Sequence, residues 1–316
     1  MTQSIALNLV QLAFVLGLSP LFAGVLARCK EIVQSKRGPS ILQPYRDLYK
    51  LIGKEERLPE QSSWIFRTTP YLVFATPLVV TLLIPVLTDF PLFFAFAGDM
   101  LAVGFIFAIS GFFFALAAID AGNPYGAMGA SRTRMVGFLA EPVLIIVLFT
   151  VSFVASSTIP YIVQQHWVHP VSNLFAPSHV LLLVAFFMII LTETGRLPVD
   201  NPSGHFELAM IDESKALEFS GRSAALVKYG GYMKFVVLAV VFLNVLTTPW
   251  GLANDAALLS ILAAIGFVAL KILVLVALIV IVESSYAKLR LFRIADFLAG
   301  AFVVSVTAML AELLHL

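Results

Sequence analysis

The stretch AALLSILAAIGFVALKILVLVALIVIV, residues 256–282, decides the class of fold. An α-helix crosses the ~30 Å hydrocarbon core of a bilayer with about 20 consecutive apolar residues. This stretch is longer than that, and Lys271 is its single charged side chain. The whole chain of 316 residues has the same character, because 60% of it is hydrophobic and 12% is charged, whereas soluble domains carry about 25% charged residues. The sequence therefore predicts an all-α, polytopic membrane protein.

The apolar runs predict eight transmembrane helices in one integral membrane domain that covers residues 1–316. The spans are 4–27, 71–87, 100–118, 135–159, 175–193, 233–248, 256–282 and 298–314. Lysine and arginine occur in the loops after the first, third, fifth and seventh spans, and are absent from the other three loops. Because basic loops stay in the cytoplasm, this alternation predicts a protein of the cytoplasmic (inner) membrane whose two termini lie outside.

The chain carries few residues suited to cofactors. Cys29 is the only cysteine, and an iron–sulfur cluster takes about four cysteine ligands. We therefore expect this chain to bind no metal or cofactor. Its basic residues flank the predicted spans, which the positive-inside rule explains, so they give no indication of nucleic-acid binding.

The most polar segment, residues 193–221, reads ETGRLPVDNPSGHFELAMIDESKALEFSG. Its six acids are Glu193, Asp200, Glu207, Asp212, Glu213 and Glu218. Acids this dense beside a membrane indicate either a solvated loop or a buried ion path. Adjacent carboxylates raise one another's pKa and so take up protons closer to neutral pH. His205 titrates in the same range. It acts either as a proton relay or only in packing. Glu193 and Arg196 form either a local ion pair or part of a carboxylate chain.

Glu141 and Lys271 lie inside predicted spans. Glu141 is expected near the cytoplasmic end of the fourth span, as a hydrogen-bonded side chain or as a proton-path residue; at a helix centre its insertion costs about 2.5–3.5 kcal/mol. Lys271 lies deeper, and it requires a carboxylate partner or the loss of its charge. We favour a functional cation over a structural ion pair. Glu283, at the end of the seventh span, is assigned to the inner acidic set.

The first basic loop predicts an amphipathic helix that starts at Gln43. Leu48, Leu51 and Ile52 share one face, and Pro44 suits the first turn. Such a helix lies at the membrane interface.

Several motifs resemble the respiratory complex I subunit 1 family. They are RGP at 37–39, LQP at 42–44, DLYKL at 47–51, DAGNP at 120–124, GASR at 129–132, DNPSGHFEL at 200–208 and EFSG at 218–221. Complex I proper has acids where this chain has Ser203 and His205. The pattern is therefore more similar to the membrane subunits of energy-converting group 4 nickel–iron hydrogenases, of the formate hydrogenlyase and hydrogenase-4 type.

The resemblance implies a docking role for the basic loops. In complex I the matching element of the first loop borders the quinone entrance; in the hydrogenase branch it packs against the soluble arm. The docking or quinone-site candidates are Arg37, Gly38, Pro39, Gln43, Pro44, Asp47, Lys50, Arg132, Arg134 and Arg196. Arg132 and Arg134 are placed in a turn-rich loop, where they meet acidic patches on a partner.

The resemblance also implies the function. The chain is expected to dock a cytoplasmic nickel–iron hydrogenase arm and to couple its electron transfer to proton or sodium movement. Expected partners are the hydrogenase large and small subunits and iron–sulfur proteins, which hold the nickel–iron centre and the clusters, together with antiporter-like membrane subunits. The alternatives are a quinone-site subunit of a complex I-type NADH dehydrogenase, a stand-alone transporter and a passive anchor.

Overall fold

The computed structural model describes residues 2–168, 176–200 and 211–314, and within them the fold is a bundle of helices. The helices are α1 (Thr2–Val33), α2 (Gln43–Ile52), α3 (Trp64–Leu83), α4 (Met100–Asp120), α5 (Pro124–Val154), α6 (Pro160–Val168), α7 (Pro177–Glu193), α8 (Gly221–Val240), α9 (Leu258–Ser285) and α10 (Leu291–Leu313). The described residues form no strand; an isolated bridge between Thr88 and Ala253 joins two loops.

The predicted membrane class is confirmed. Within the described ranges, seven helices are long and apolar enough to cross a bilayer, and the shorter apolar α7 accounts for the remaining predicted span. Short α6 lies between two spans and was not predicted. The structure thus agrees with the predicted all-α, polytopic architecture.

Several helices begin well before their apolar run. The predicted fourth span starts at residue 135, but α5 starts at Pro124, where the side chain of Asn123 accepts a 2.8 Å hydrogen bond from the amide of Tyr125. An Asn cap followed by Pro is a strong helix start. Arg132 and Arg134 therefore lie on helix α5, and their predicted placement in a loop is wrong.

The predicted helix α2 is present, with Pro44 in its first turn and Leu48 buried. The loop before it folds back on α1 at Gly24. A Cβ built on Gly24 would lie 2.0 Å from the carbonyl oxygen of Ile41, so only glycine permits this approach. The contact fixes α2 against the end of α1.

Helix α8 lies at the centre of the bundle. It packs against α1, α2 and α3, while α10 packs against α5 and α7. Residues 235–241, from Phe235 to Val241, are all buried, and α8 continues into a π-helical turn at Val241–Thr247. We call the end that holds the loop residues 34–42, 121–123, 194–200, 211–220 and 286–290 the basic end, and the other the opposite end.

Candidate functional site

The charged side chains of the basic end converge on a cavity of about 290 Å³ between α3, α4, α8 and the segment after α7. Its charged lining residues are Glu193, Arg196, Asp200, Asp212, Glu213, Lys215, Lys228 and Lys234. A smaller cavity of about 70 Å³ shares Glu193, Asp200, Asp212, Lys215 and Lys234 and adds Arg134 and Glu141. The two cavities therefore form one polar region that enters the bundle.

Glu193, the last residue of α7, pairs with Lys234 of α8. The carboxylate and ammonium are 2.6 Å apart, and Lys234 lies 5.7 Å from the ring centre of Phe107. The local pair of Glu193 with Arg196 is absent, and that alternative is wrong. Gly195 adopts φ of +59° and turns the chain out of the helix, so Arg196 no longer shares a face with Glu193.

Glu283 lies at the centre of a buried triad of charges. Its side chain is fully buried and lies 3.2 Å from Lys30 and 3.4 Å from Arg196. The guanidinium of Arg196 also lies 4.9 Å from the ring centre of Phe235. Burial lowers the pKa of Arg196, and Glu283 opposes this shift. The triad joins α1, α9 and the segment after α7.

Asp200 ties two loops of the basic end together. One carboxylate oxygen accepts the amides of Ile211 at 3.1 Å and Asp212 at 3.0 Å. The other lies 2.5 Å from the ammonium of Lys288. The sequence offered Lys288 only as a basic loop residue, but its ammonium lies inside this cluster.

Asp212 and Glu213 differ in proton affinity. Burial alone would raise the pKa of Asp212, but Lys215, at 2.7 Å, and Lys234 hold it below its usual value. The side chain of Asp212 remains 40% exposed toward the cavity. The pKa of Glu213 is raised, chiefly by desolvation in the same cavity; Lys228 lowers it, and Asp212 and Asp200 raise it further. Glu213 is therefore the better proton acceptor of the two.

Glu141 lies in the middle of α5 rather than near the end of that helix at the basic end. The helix starts at Pro124, so at 1.5 Å per residue Glu141 is about 25 Å from that start. Arg134 lies 3.5 Å from its carboxylate, and the smaller cavity connects it with Glu193 and Lys234. The sequence placed Glu141 too close to the end because it started the helix too late.

Lys271 lies apart from this cluster. Its ammonium donates to the side chain of Asn244 at 3.2 Å and to the carbonyls of Thr248 at 2.6 Å and Trp250 at 2.5 Å. The described residues provide no carboxylate within 4.0 Å of it, so the alternative of a structural ion pair receives no support from them. Lys271 instead binds the carbonyl end of α8 and its π-helical turn, where the helix dipole favours a cation.

The remaining candidates lie around the rim of the basic end. Gln43 donates to Asp47 at 2.8 Å on α2, and Asn123 donates to Glu218. Arg37, Pro39 and Lys50 are exposed, whereas Gly38 and Pro44 are half-buried. Arg132 is half-buried on α5. His205 and Glu207 lie outside the described residues.

Sequence reasoning missed four cations of the site, because these four lysines were counted only for topology. They are Lys30, Lys215, Lys234 and Lys288. The available signal was the number of acids beside the membrane, since buried carboxylates require paired charges. In the chain segments 2–168, 176–200 and 211–314, no group of three or more His, Cys, Asp or Glu residues is placed to hold a metal ion.

These features define a multi-pass membrane protein with a paired-charge cavity at one end of its bundle. The family model described as NADH dehydrogenase matches residues 6–313, and the chain belongs to this family, of the complex I subunit 1 type.

The chain is similar to two relatives from Escherichia coli (strain K12). Formate hydrogenlyase subunit 4 is 35% identical over 91% of this chain and 92% of its own length. Hydrogenase-4 component C is 34% identical over 89% of this chain and 87% of its own length. An NADH-quinone oxidoreductase subunit of Anaplasma marginale (strain St. Maries) is more distant, at 26% identity over 82% of this chain and 77% of its own length.

A solved structure has the same fold. A chain in the structure of the membrane-bound sulfane sulfur reductase, an archaeal respiratory membrane complex, aligns with a TM-score of 0.84 over 97% of this chain and 98% of that chain. At 18% sequence identity, this likeness concerns the fold alone.

Proposed function

We propose that this protein is the membrane subunit of a respiratory-type hydrogenase complex. It docks a soluble nickel–iron hydrogenase arm at the basic end and couples electron transfer in that arm to proton or sodium movement in the membrane. The identity to formate hydrogenlyase subunit 4 and hydrogenase-4 component C is higher than the identity to the NADH-quinone oxidoreductase subunit. This difference supports the hydrogenase branch over a quinone-site subunit.

The observation that carries the coupling role is the continuous set of ionisable side chains from the rim into the bundle. Glu213 lines the larger cavity, Glu193 and Lys234 line both, and Glu141 lines the smaller one in the middle of α5. Glu141, Glu193 and Lys234 are half-buried and Glu213 is exposed, and a passive anchor has no need of charges partly desolvated inside the bundle.

The chemistry follows from the pairing of Glu193, Asp200 and Asp212 with cations. An ion pair such as Glu193 with Lys234 keeps its protonation state only while the surrounding charge stays constant. A charge change in a docked redox partner beside residues 193–221 alters the proton affinity of Asp212 and Glu213. A proton taken up by Glu213 then moves through the cavities toward Glu193 and Glu141. The ion-path set is Glu141, Glu193, Asp200, His205, Glu207, Asp212, Glu213, Glu218, Lys271 and Glu283.

The partners follow from the same proposal. The basic and motif-rich loops bind the soluble arm, whose large and small subunits and iron–sulfur proteins hold the nickel–iron centre and the clusters. The proton or sodium ion passes on to neighbouring antiporter-like membrane subunits. The chain itself binds no redox cofactor, so electrons do not enter it.

The Glu193→Gln variant tests this role in the intact complex. Glutamine keeps the shape and the hydrogen bond to Lys234 but removes the titratable charge. We expect ion movement in sealed vesicles to fall by ~100-fold, the lower end of the contribution typical of proton-transfer side chains. Hydrogenase turnover with uncoupler present should fall much less. Both are measured on the same vesicles, with assembly checked by the amount of bound hydrogenase.

The matched control is Asp296→Asn. Asp296 is 71% exposed at the start of α10 and pairs only with exposed Arg293, so its loss should change neither quantity. Normal ion movement in assembled Glu193→Gln complexes would contradict the coupling role and leave docking alone. Quinone-dependent turnover by the purified complex would instead favour the quinone-site alternative.

A further inference from the structure

The opposite end of the bundle contains a second buried polar cluster, away from the cavities described above. Asn8 and Gln11 come from α1, Thr88 from the loop after α3, and Tyr161 and Gln164 from α6. All five are buried, with at most 3% of each residue exposed. The amide of Gln11 donates to Thr88 at 3.3 Å, which links α1 to the loop.

Several polar atoms in this cluster lack a protein partner among the described residues. They are both amide atoms of Asn8 and the Oε1 atoms of Gln11 and Gln164, while the hydroxyl of Tyr161 lies beside Thr88 and Gln11. Burying a polar group without a hydrogen-bond partner is unfavourable, and buried water satisfies such groups when several lie together. These orphaned atoms therefore indicate water molecules inside this end of the bundle.

The cluster also connects two ionisable groups. The side-chain amide of Gln164 donates to Asp89 at 2.9 Å and to the carbonyl of Pro249 at 3.0 Å. The next carbonyl, that of Trp250, accepts from Lys271. Gln164 thus lies between an acid near the surface and a cation inside a span, and its free oxygen is available to water. Burial raises the pKa of Asp89, which therefore accepts a proton at higher pH than a free aspartate.

We propose that this cluster is a hydrated proton-binding site, in which water held by Gln11, Tyr161 and Gln164 connects Lys271 with Asp89. The ammonium of Lys271 gives a proton to water, and the water gives one to the carboxylate of Asp89, which releases it at the opposite end. The neutral amine of Lys271 then takes a new proton from the bundle interior. This role as an exit for protons rests on the proposed function, whereas the hydration does not.

Other titratable groups of the opposite end are distinct from this route. They are Asp99, Asp255, His166, His179 and Glu312. Asp99 accepts the amides of Leu101 and Ala102 and caps α4, and His179 contacts the carbonyl of Leu246 at 3.0 Å. Asp99 is a matched control for Asp89, because asparagine caps a helix as well as aspartate does.

Hydroxyl-radical footprinting of the intact complex tests the hydration. Radicals formed from internal water modify adjacent aromatic side chains even when these are buried. Each rate is divided by the rate of the same residue in the unfolded chain. Tyr161 should then react several-fold faster than Phe186, which is fully buried in the apolar core, and Gln164→Leu should lower the Tyr161 rate. Equal rates for Tyr161 and Phe186 would overturn the proposal.

Ion movement tests the proton role separately. Asp89→Asn and Lys271→Met should each slow proton movement several-fold in assembled complexes, while Asp99→Asn should leave it unchanged. Fast labelling of Tyr161 with unchanged proton movement in both variants would overturn the proposal. If Glu193→Gln blocks proton movement while Asp89→Asn has no effect, this exit is wrong and the proposed function stands. If wild-type complexes move no ions, the proposed function fails and the footprinting still decides the hydration.

Discussion

At the scale of single residues, every buried acid of the basic end has a cation from another part of the chain or close by. Glu283 has two, Lys30 and Arg196, while Glu193 and Asp200 have one each. Removing one member of a buried pair leaves an uncompensated charge, at a cost of about 3–5 kcal/mol. Pairs open to water contribute only about 0–1 kcal/mol. The exposure of each pair therefore decides its energetic importance.

Lys215→Met should destabilise the protein by about 1–2 kcal/mol near neutral pH, less than a fully buried pair would lose because Asp212 is open to the cavity. Without Lys215, only Lys234 opposes the effect of burial on Asp212, so the pKa of Asp212 rises above its wild-type value. In the wild type, this carboxylate contributes stability above its unfolded pKa that is lost as pH falls through the lower folded pKa. In the variant this contribution is smaller, so the difference in stability between variant and wild type shrinks as pH falls below the unfolded pKa.

Thermal unfolding of the purified chain in detergent at pH 7 and at about pH 3, below the unfolded pKa of an aspartate, measures this effect. The gap in melting temperature between variant and wild type should be larger at pH 7. Arg293→Met is the control, because it removes an ion pair at the same spacing whose members are 74% and 71% exposed. A gap that is independent of pH would show that Lys215 acts through packing against Phe114 instead.

At the scale of elements, the sequence specified which helices cross the membrane but not where each one begins. The length of an apolar run reflects the thickness of the hydrocarbon core. Helices such as α5 extend beyond that run, because the capping residues Asn123 and Pro124 start the helix earlier in the chain. Helix α6 was missed because nine residues are too few for a span. The partner of Glu193 was missed because local spacing favoured Arg196, whereas the turn at Gly195 made Lys234 the neighbour.

Helix α2 and the loop before it form the exposed surface best suited to docking. Arg37→Glu places a negative charge where a positive one is expected to meet an acidic partner, so we expect hydrogenase activity to leave the membrane fraction. Deletion of residues 43–54 should do the same. The measurement is hydrogenase activity in washed membranes relative to the soluble fraction.

Arg293→Glu, at the start of α10 and at the same end of the bundle, separates a local contact from general electrostatic attraction. Loss of membrane-bound activity in Arg37→Glu alone indicates a contact at the loop of α2. Equal loss in both variants indicates an electrostatic effect of the whole basic end. Full retention in Arg37→Glu would exclude this loop from the docking surface.

At the scale of the whole molecule, the distribution of basic loops predicts that both termini lie outside. Single cysteines introduced into a Cys29→Ser background test this. Gln165 and Asn254 are exposed at the opposite end, and Lys54 and Glu60 are exposed at the basic end. A membrane-impermeant thiol reagent should label the first two in intact cells. It should label the other two only after permeabilisation, and the reverse pattern would refute the orientation.

The triad around Glu283 has a consequence for biosynthesis. Helix α1 packs against α8 and α9, and Lys30 precedes its partner Glu283 by 253 residues (283 minus 30). A ribosome that adds about 5–20 residues per second needs roughly 13–50 s to make that length. During this time α1 lies in the bilayer without the helices α8 and α9 that pack against it, and the ammonium of Lys30 remains hydrated at the membrane surface. The charge becomes buried only when α9 arrives, so the N-terminal helix completes its packing late in synthesis.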